Sequence, residues 1–195
     1  MMDSIRLALQ EEPKFYVGFH NRNMIINAQK TRLNGLIGGL DFNKKIKIYI
    51  GLYELTKEEK ILMGNHSFSN IDSVYRSINS RNMSLGLDYT FYSNGKLYLS
   101  IPLQVGSGTT RYNFWEKDQT TLIRTEEYAT FPIELGSNAY LEVLPFVALK
   151  AGLGYRFSVG KKEVMQLTSP YYNLGVALLL GEAVRYFKRS PVEKS

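Results

Sequence analysis

Few residues of this chain could do acid–base or nucleophilic chemistry. There are two histidines and no cysteine, which excludes disulfides, Cys–metal sites and thiol chemistry. His20, Ser84 and Asp88 lie on the same face of predicted strands, so they are weak candidates for a catalytic cluster. No Gly-x-Ser-x-Gly turn surrounds Ser84, and His66 falls in a polar segment. We therefore predict no metal site and no cofactor.

The strands that would position these residues are recognised by a two-residue period. In Met83–Phe91 and Leu97–Val105, apolar residues occupy every odd position, and mostly Gly, Ser, Tyr, Asp or Gln stand between them. A period of two places successive side chains on opposite faces of a sheet. One face is therefore nearly pure hydrocarbon, which is typical of a closed barrel in a lipid bilayer.

The same period predicts eight strands joined by alternating short and long connections. The expected strands are 14–26, 31–42, 45–55, 83–92, 96–112, 128–143, 147–159 and 171–181. The second, fourth and sixth strands end in short turns, whereas long polar segments follow the third, fifth and seventh, at 56–82, 114–127 and 160–170. We expect some helix in 56–82. The prediction is an all-β fold: an eight-stranded antiparallel up-and-down transmembrane β-barrel.

Composition and charge narrow the remaining possibilities. The net charge is +6, but Lys and Arg are scattered and no recognition helix is present, so nucleic-acid binding is not expected. No apolar run approaches the roughly 18 residues that a transmembrane helix needs. We divide the chain into an N-terminal tail at 1–13, the barrel at 14–181 and a basic C-terminal tail at 182–195. Since 1–13 lacks the pattern of an export signal, the chain is either a mature or mis-started form of an exported protein, which is the interpretation we favour, or a protein that is not exported.

Glycines and charges indicate which face of the wall lines the interior. Glycine weakens an exposed strand but makes room for large side chains in a narrow lumen. The glycine-bearing face also carries charges of both signs, which must pair inside a lumen because an isolated buried charge is costly. We predict a plugging network of these residues with tyrosines: Arg22, Lys47, Asp88, Glu134, Glu142, Lys150 and Arg156.

The opposite face should form an apolar belt against lipid tails. We predict that it contains Ile48, Leu87, Leu99, Leu135, Leu153 and Leu178. A lipocalin-like soluble barrel would turn these side chains inward around an apolar ligand. Pro102 and Pro132 lie inside predicted strands and remove ladder donors, and we expect bulges there.

The last predicted strand resembles the sorting pattern that ends outer-membrane barrels of Gram-negative bacteria. Its matching residues are Asn173, Gly175, Leu178 and Leu180, although a tail continues where the family usually ends in an aromatic residue. The segments 99–106 and 149–157 also resemble small, mostly uncharacterised barrels with OmpA-like or porin-like domains. The resemblance implies an outer-membrane location, contact with lipid and with the barrel-assembly machinery, and no residue-specific activity.

Three functions stay open at this point. The first is a non-enzymatic outer-membrane barrel of the cell envelope, acting in envelope integrity, in adhesion or recognition of an extracellular ligand through its loops, or in narrow solute passage. The second is a lipid-modifying enzyme with a site at the outer lip near His20. The third is a soluble carrier of an apolar ligand. A wide pore is not expected, because eight strands leave an interior that side chains fill.

Overall fold

The computed structural model of the protein describes residues 2–26, 29–55, 61–64, 73–116, 118, 120–180, 183 and 186. Its elements are α1 (Met2–Gln10), β1 (Lys14–Ile26), β2 (Gln29–Phe42), β3 (Ile46–Leu55), β4 (Ile61–Gly64), β5 (Ser73–Asn94), β6 (Leu97–Trp115), β7 (Leu122–Leu144), β8 (Val147–Gly160), α2 (Lys162–Met165) and β9 (Ser169–Leu179). Within these ranges, neither helix has the length and hydropathy to cross a membrane.

Eight of these strands, β1–β3 and β5–β9, close into an antiparallel ring. Strands that follow one another along the chain pair with each other, and the β3–β5 and β1–β9 pairings complete the circle. The short β4 lies beside the outer part of β5. The predicted eight-stranded up-and-down barrel is therefore confirmed, with β4 as an addition that the sequence pattern did not indicate.

The strands are staggered around the ring, and the stagger sets their tilt. One row of directly paired residues runs through Leu179, Tyr16, Gly39, Tyr49, Gly86, Gln104, Glu134, Arg156 and Ser169. The row leaves β9 at Leu179 and returns to it ten residues away, at Ser169. With a spacing of about 4.8 Å between strands and a rise of about 3.3 Å per residue, the strands tilt by about 40°. Each row therefore climbs by about 3 Å per strand toward the long-loop end.

The outer face of the ring is an exposed aliphatic belt. Ile48, Leu87, Leu135 and Leu153 are 39%, 44%, 50% and 70% exposed, and Leu99 and Leu178 point outward but are half-buried. On β5 the outward residues are apolar up to Met83 and change to charge at Arg81. The aliphatic side chains therefore face away from the lumen, and the lipocalin-like alternative is wrong.

Three strands run well beyond the belt at the long-loop end. β5, β6 and β7 have 22, 19 and 23 residues, whereas the sequence pattern placed 73–82 and 122–127 in polar connections. The expectation of helix in 56–82 was also wrong for the described residues, which are strand there. Outside lipid both faces of a strand are polar, so the two-residue period disappears although the ladder continues. From Arg81 to Ser73, β5 rises by about 20 Å.

The prolines do not produce the expected bulges. The β6–β7 register is the same on either side of Pro102 and of Pro132, from Ser100↔Asn138 to Gly108↔Thr130. The ladder has gaps beside both prolines and resumes unchanged. Register shifts occur instead at Thr90/Tyr92, Phe114/Trp115 and Glu142/Leu144, near strand ends. The β6–β7 pairing tolerates the missing backbone hydrogen bonds beside the prolines because the paired residues on either side of each gap maintain the register.

The short-turn end carries both chain termini of the barrel. The second of its turns contains Gly95 at φ 59°, as expected from the Asn-Gly pair. The segment treated as an N-terminal tail forms α1, which packs against β3. Just beyond α1, Glu11 accepts a hydrogen bond of 2.7 Å from the Asn43 side chain.

Candidate functional site: a filled lumen and an outer extension

Glycines on the inner face make room for tyrosine rings. A Cβ atom at Gly86 would overlap the ring of Tyr49, and one at Gly35 would overlap Tyr53. Tyr49 and Tyr53 are both 3% exposed. The lumen is therefore packed by side chains that project across it, as expected for a ring of eight strands.

A carboxylate shared by two arginines lies at the centre of the lumen. Glu134 contacts Arg22 Nη1 at 2.6 Å through Oε2 and Arg156 Nη1 at 2.7 Å through Oε1. Arg22 also donates to Tyr53 Oη at 3.1 Å and to Gln104 Oε1 at 2.8 Å. Its guanidinium carbon lies 4.3 Å from the centre of the Tyr53 ring. Each of these side chains is buried, and its ion pairs and hydrogen bonds replace part of its contacts with water, although Gln104 Nε2 and Arg156 Nε have no hydrogen-bond partner among the described residues.

A second polar cluster fills the lumen toward the short-turn end. Lys47 Nζ lies 4.0 Å from the centre of the Tyr140 ring and 4.0 Å from Asp41 Oδ2. Tyr140 donates a hydrogen bond of 2.7 Å to Asp88 and stacks on Tyr98 at 5.1 Å. The rings and the carboxylates together surround the ammonium group of a lysine side chain that is only 5% exposed.

Lys150 connects the two clusters. Its Nζ lies 3.0 Å from His20 Nε2, and His20 Nδ1 lies 3.4 Å from Tyr53 Oη in the central cluster. Lys150 Nζ also lies 5.5 Å from the centre of the Tyr140 ring. At the short-turn mouth, Glu142 pairs with Lys44 at 2.5 Å.

An apolar cap covers the polar clusters at the long-loop end. Met24, Ile26, Leu33 and Leu55 point inward and pack with Leu167 in one buried cluster. Above them, α2 packs against β7 and β8, and Val164 on it is fully buried. Tyr112 Oη donates a hydrogen bond of 2.7 Å to the backbone carbonyl of Glu163 and so ties α2 to β6.

The catalytic candidates do not form a cluster. His20 contacts Lys150 and Tyr53, Ser84 donates to Asn82 Oδ1 at 3.3 Å, and Asp88 accepts from Tyr140. Among these three described residues there is no mutual hydrogen bond. His66 lies outside the described residues. Within the part of the chain that the structure covers, no three His, Asp or Glu side chains are grouped to hold a metal.

Other lumen residues escaped the sequence analysis. Asp41, near the end of β2, accepts a hydrogen bond of 2.7 Å from the Lys44 backbone N–H, and its other oxygen faces Lys47. Gln104 and Tyr53 hold Arg22 although neither is charged. The parity of Asp41 and Gln104 on their strands places both on the inner face and could have identified them. The apolar cap could have been recognised from inward-facing Met24, Ile26 and Leu33.

The outer parts of β5, β6 and β7 beyond the belt, residues 73–81, 109–115 and 122–129, form a paired extension of the wall. The extension ends in a hairpin between β6 and β7 that is closed by local hydrogen bonds. Asp118 accepts from the Thr120 hydroxyl at 2.5 Å and from the backbone N–H groups of Thr120 and Thr121 at 3.0 and 3.2 Å. These hydrogen bonds lower the pKa of Asp118, and the bond from the Thr120 hydroxyl has the largest effect. On the outer surface of the extension, Arg111 pairs with Glu127 at 2.9 Å.

The four residues of the sorting pattern lie on or just after β9. Asn173 points into the lumen and donates to Asn138 at 3.1 Å. A Cβ atom at Gly175 would overlap the Phe19 carbonyl, so this position needs a glycine. Leu178 is half-buried on the outer face, and Leu180 follows the end of the strand.

Solved structures share this architecture at low sequence identity. Neisserial surface protein A matches with a TM-score of 0.57 and 13% identity over 87% of this chain and 99% of that chain. A major outer membrane protein from Thermus thermophilus gives 0.55 and 10% over 84% and 98%. The N-terminal barrel domain of Pseudomonas aeruginosa OprF gives 0.51 and 13% over 86% and 98%. No family model and no curated protein matches the chain. The fold is thus that of eight-stranded outer-membrane barrels.

Proposed function

We propose that the protein is a non-enzymatic outer-membrane β-barrel that displays a sheet outside the membrane and does not conduct solutes. The observation that carries this proposal is the combination of an exposed aliphatic belt with a filled lumen. The belt is stable only against lipid tails. The fold and the belt both support an outer-membrane location.

Closure of the lumen argues against a role in passage. Below the apolar cap, the buried cations lie among buried carboxylates: Arg22, Lys47, Lys150 and Arg156 beside Asp41, Asp88 and Glu134, while Glu142 pairs with Lys44 at the mouth. The side chains of this network and the tyrosine rings fill the lumen, and the cap adds an apolar barrier above them. Narrow solute passage is therefore the least supported of the roles left open by the sequence.

The extension is the part of the molecule available to other macromolecules. Paired outer parts of β5, β6 and β7 form a continuous sheet beyond the belt. A rigid sheet pre-organises a binding surface better than separate mobile loops do. We assign the protein to surface recognition or adhesion, or to envelope integrity, and not to lipid chemistry, because the candidate catalytic side chains are buried and apart.

Labelling of single cysteines tests the orientation. Because the chain has no cysteine, Thr120→Cys in the extension and Pro145→Cys in a short turn each carry one thiol. A membrane-impermeant maleimide added to intact cells should label Thr120→Cys, and should label Pro145→Cys only after the outer membrane is permeabilised. The reverse pattern, or labelling of neither variant after permeabilisation, contradicts the proposal.

A planar bilayer recording tests the closed lumen. We expect the folded protein to insert without discrete conductance steps. The same preparation must show the heat-dependent gel shift of a folded barrel, so that silence is not due to failed folding. Regular conductance steps from the wild-type barrel would refute the closed-lumen proposal while leaving its membrane location intact.

We also propose that β9 is read by the barrel-assembly machinery. Its Asn173, Gly175, Leu178 and Leu180 match the spacing of the sorting pattern, and the inner and outer faces of β9 are cleanly separated. Leu178→Asp should lower the amount of assembled barrel in cells. The refolding yield of the same variant in detergent should change less, and an equal loss in both would point to a purely structural effect.

A further inference from the structure

The outward-facing residues of β3 become progressively less exposed toward the short-turn end. Leu52 and Ile50 are 59% and 56% exposed, Ile48 is 39% exposed and Ile46 is only 7% exposed. All four lie on the face of the strand that points away from the lumen, and Ile46 is not part of the apolar clusters that the described residues form inside the barrel. Ile46 is therefore covered from outside the wall.

The helix α1 supplies this cover. It packs against β3, and its Ala8 is 4% exposed. Just beyond the helix, Glu11 accepts a hydrogen bond from Asn43 in the turn between β2 and β3. A small residue lets a helix approach a sheet closely, so we attribute the burial of Ile46 to the Ala8 side of α1.

Ile46 marks the short-turn border of the aliphatic belt. On β3 the apolar outward run is flanked by Lys45 at one end and by Glu54 at the other. With a strand tilt of about 40°, the segment between these two charged residues spans about 23 Å along the membrane normal. The apolar band of an outer-membrane barrel is about 25 Å tall. The helix thus lies where hydrocarbon gives way to lipid headgroups.

The side chains of α1 are divided between an apolar and a polar side. Ile5, Ala8 and Leu9 follow the i, i+3, i+4 spacing of one helix face. On this face Ala8 is buried, Ile5 is half-buried and Leu9 is 48% exposed. Arg6 is exposed and lies about 160° from Ala8 around the helix axis. Leu7, which is 64% exposed, lies on the flank opposite Leu9, because residues two positions apart differ by about 200°.

The contact with the wall is small for a helix of this length. The helix has nine residues, and isolated helices shorter than about 12–15 residues are marginal in water. Packing on β3 buries Ala8 and part of Ile5. Lipid at the border of the belt would bury Leu9 as well, and full burial of a leucine contributes about 1.5–3 kcal/mol. A lipid contact therefore adds what the wall alone does not provide.

We propose that α1 is an interfacial helix that binds the lipid leaflet on the short-turn side of the barrel. Its Ala8 side rests on β3, its Leu9 flank enters the edge of the hydrocarbon, and Arg6 faces headgroups and water. This lipid contact is continuous with the aliphatic belt, whose last outward residue on β3 is Ile46. The inference rests on the proposed outer-membrane location and adds an element outside the barrel to the membrane contact.

A soluble protein is the competing partner for the Leu9 flank. Stable protein interfaces bury about 800 Å² on each partner, whereas the open part of this flank is centred on one leucine. Lipid surrounds the belt directly beside α1 and needs no large complementary surface. The position and the small size of the flank therefore favour lipid.

Quenching by brominated lipid measures the depth of each flank of α1. Because the chain has no cysteine, Leu9→Cys and Leu7→Cys each carry one thiol, which is labelled with bimane before the barrel is folded into bilayer nanodiscs. Brominated acyl chains should quench the Leu9 label at least about threefold more than the Leu7 label. Leu153→Cys in the belt is the reference for hydrocarbon.

The belt reference distinguishes failure of this inference from failure of the proposed location. If the Leu153 label is quenched and the Leu9 label is quenched no more than the Leu7 label, the interfacial helix is refuted and the membrane location stands. An unquenched Leu153 label refutes the membrane location, and the interfacial helix with it.

A second pair of variants separates lipid binding from barrel folding. Leu9→Asp places a charge on the lipid flank, and Leu7→Asp places the same charge on the opposite flank. Hydrogen exchange of the α1 backbone N–H groups in nanodiscs should become at least about fivefold faster in Leu9→Asp and change by less than about twofold in Leu7→Asp. Both variants must keep the heat-dependent gel shift. Equal acceleration in the two variants, or none in Leu9→Asp, overturns the proposal.

Discussion

Loss of the Glu134 carboxylate should destabilise the barrel more than loss of any surface carboxylate. Glu134 is 2% exposed and is the partner of both Arg22 and Arg156. Glu134→Gln keeps the shape and one oxygen of the side chain but leaves two buried guanidinium groups without a counter-charge. Removing one partner of a buried ion pair costs about 3–5 kcal/mol. We expect the free energy of unfolding to fall by about this amount.

A surface pair in the same wall provides the matched control. Arg81 Nη2 lies 2.7 Å from Glu54, which equals the Arg156–Glu134 distance, but these side chains are 74% and 48% exposed. Exposed pairs contribute about 0–1 kcal/mol, so Glu54→Gln should have little effect. The two substitutions remove the same charge at the same distance from an arginine, but Glu134 is buried between two arginines, whereas Glu54 is exposed beside Arg81.

Urea titration of the refolded barrel in detergent, followed by its gel shift, measures both costs. If Glu134→Gln loses no more stability than Glu54→Gln, the central carboxylate does not hold the arginines together and the lumen model is wrong. Adding Arg156→Met to Glu134→Gln should recover part of the loss, because one uncompensated charge is then removed. A further loss in that double variant would show that packing, and not charge, dominates at this site.

Two further substitutions test the inner packing and the outer belt. Gly86→Val should prevent folding or cost more than about 2 kcal/mol, since its side chain would overlap Tyr49, whereas Gly38→Ala, which meets no atom within 4 Å, should be nearly neutral. The yield of gel-shifted barrel measures both, and equal yields would contradict the packing described for the lumen. Leu153→Arg in the belt should cost about 2–4 kcal/mol and Ser107→Arg near the rim about 0–1 kcal/mol, as measured by urea titration in lipid vesicles. Similar costs at both positions would mean that the belt does not lie in hydrocarbon.

Much of the barrel could be predicted from the sequence because lipid and lumen make opposite demands on alternate residues. That contrast is strongest where the wall crosses the membrane, as in β1, where the predicted range 14–26 matches the strand. The contrast between the two faces disappears in the outer parts of β5 and β7, because both faces meet water there. The predicted starts of these two strands were therefore about ten and six residues too late. The bulges expected at Pro102 and Pro132 were wrong because register is maintained cooperatively by neighbouring pairs.

The partners of the lumen residues could not be deduced in the same way. The odd or even position of each residue along its strand places Arg22, Glu134 and Lys150 on the inner face, but it does not determine which of them are in contact. The ten-residue stagger of the ring decides that, because it sets which side chains from distant strands share a level. It brings one carboxylate between two arginines and leaves Lys150 beside His20.

The two-residue period by itself determined that the chain forms a sheet with one aliphatic and one polar face, since side-chain direction in a strand depends only on position along the chain. Closure of the ring, its tilt and the cap over the lumen were decided only in three dimensions. These features depend on pairings between residues far apart in the chain, and a local pattern carries no record of such pairings.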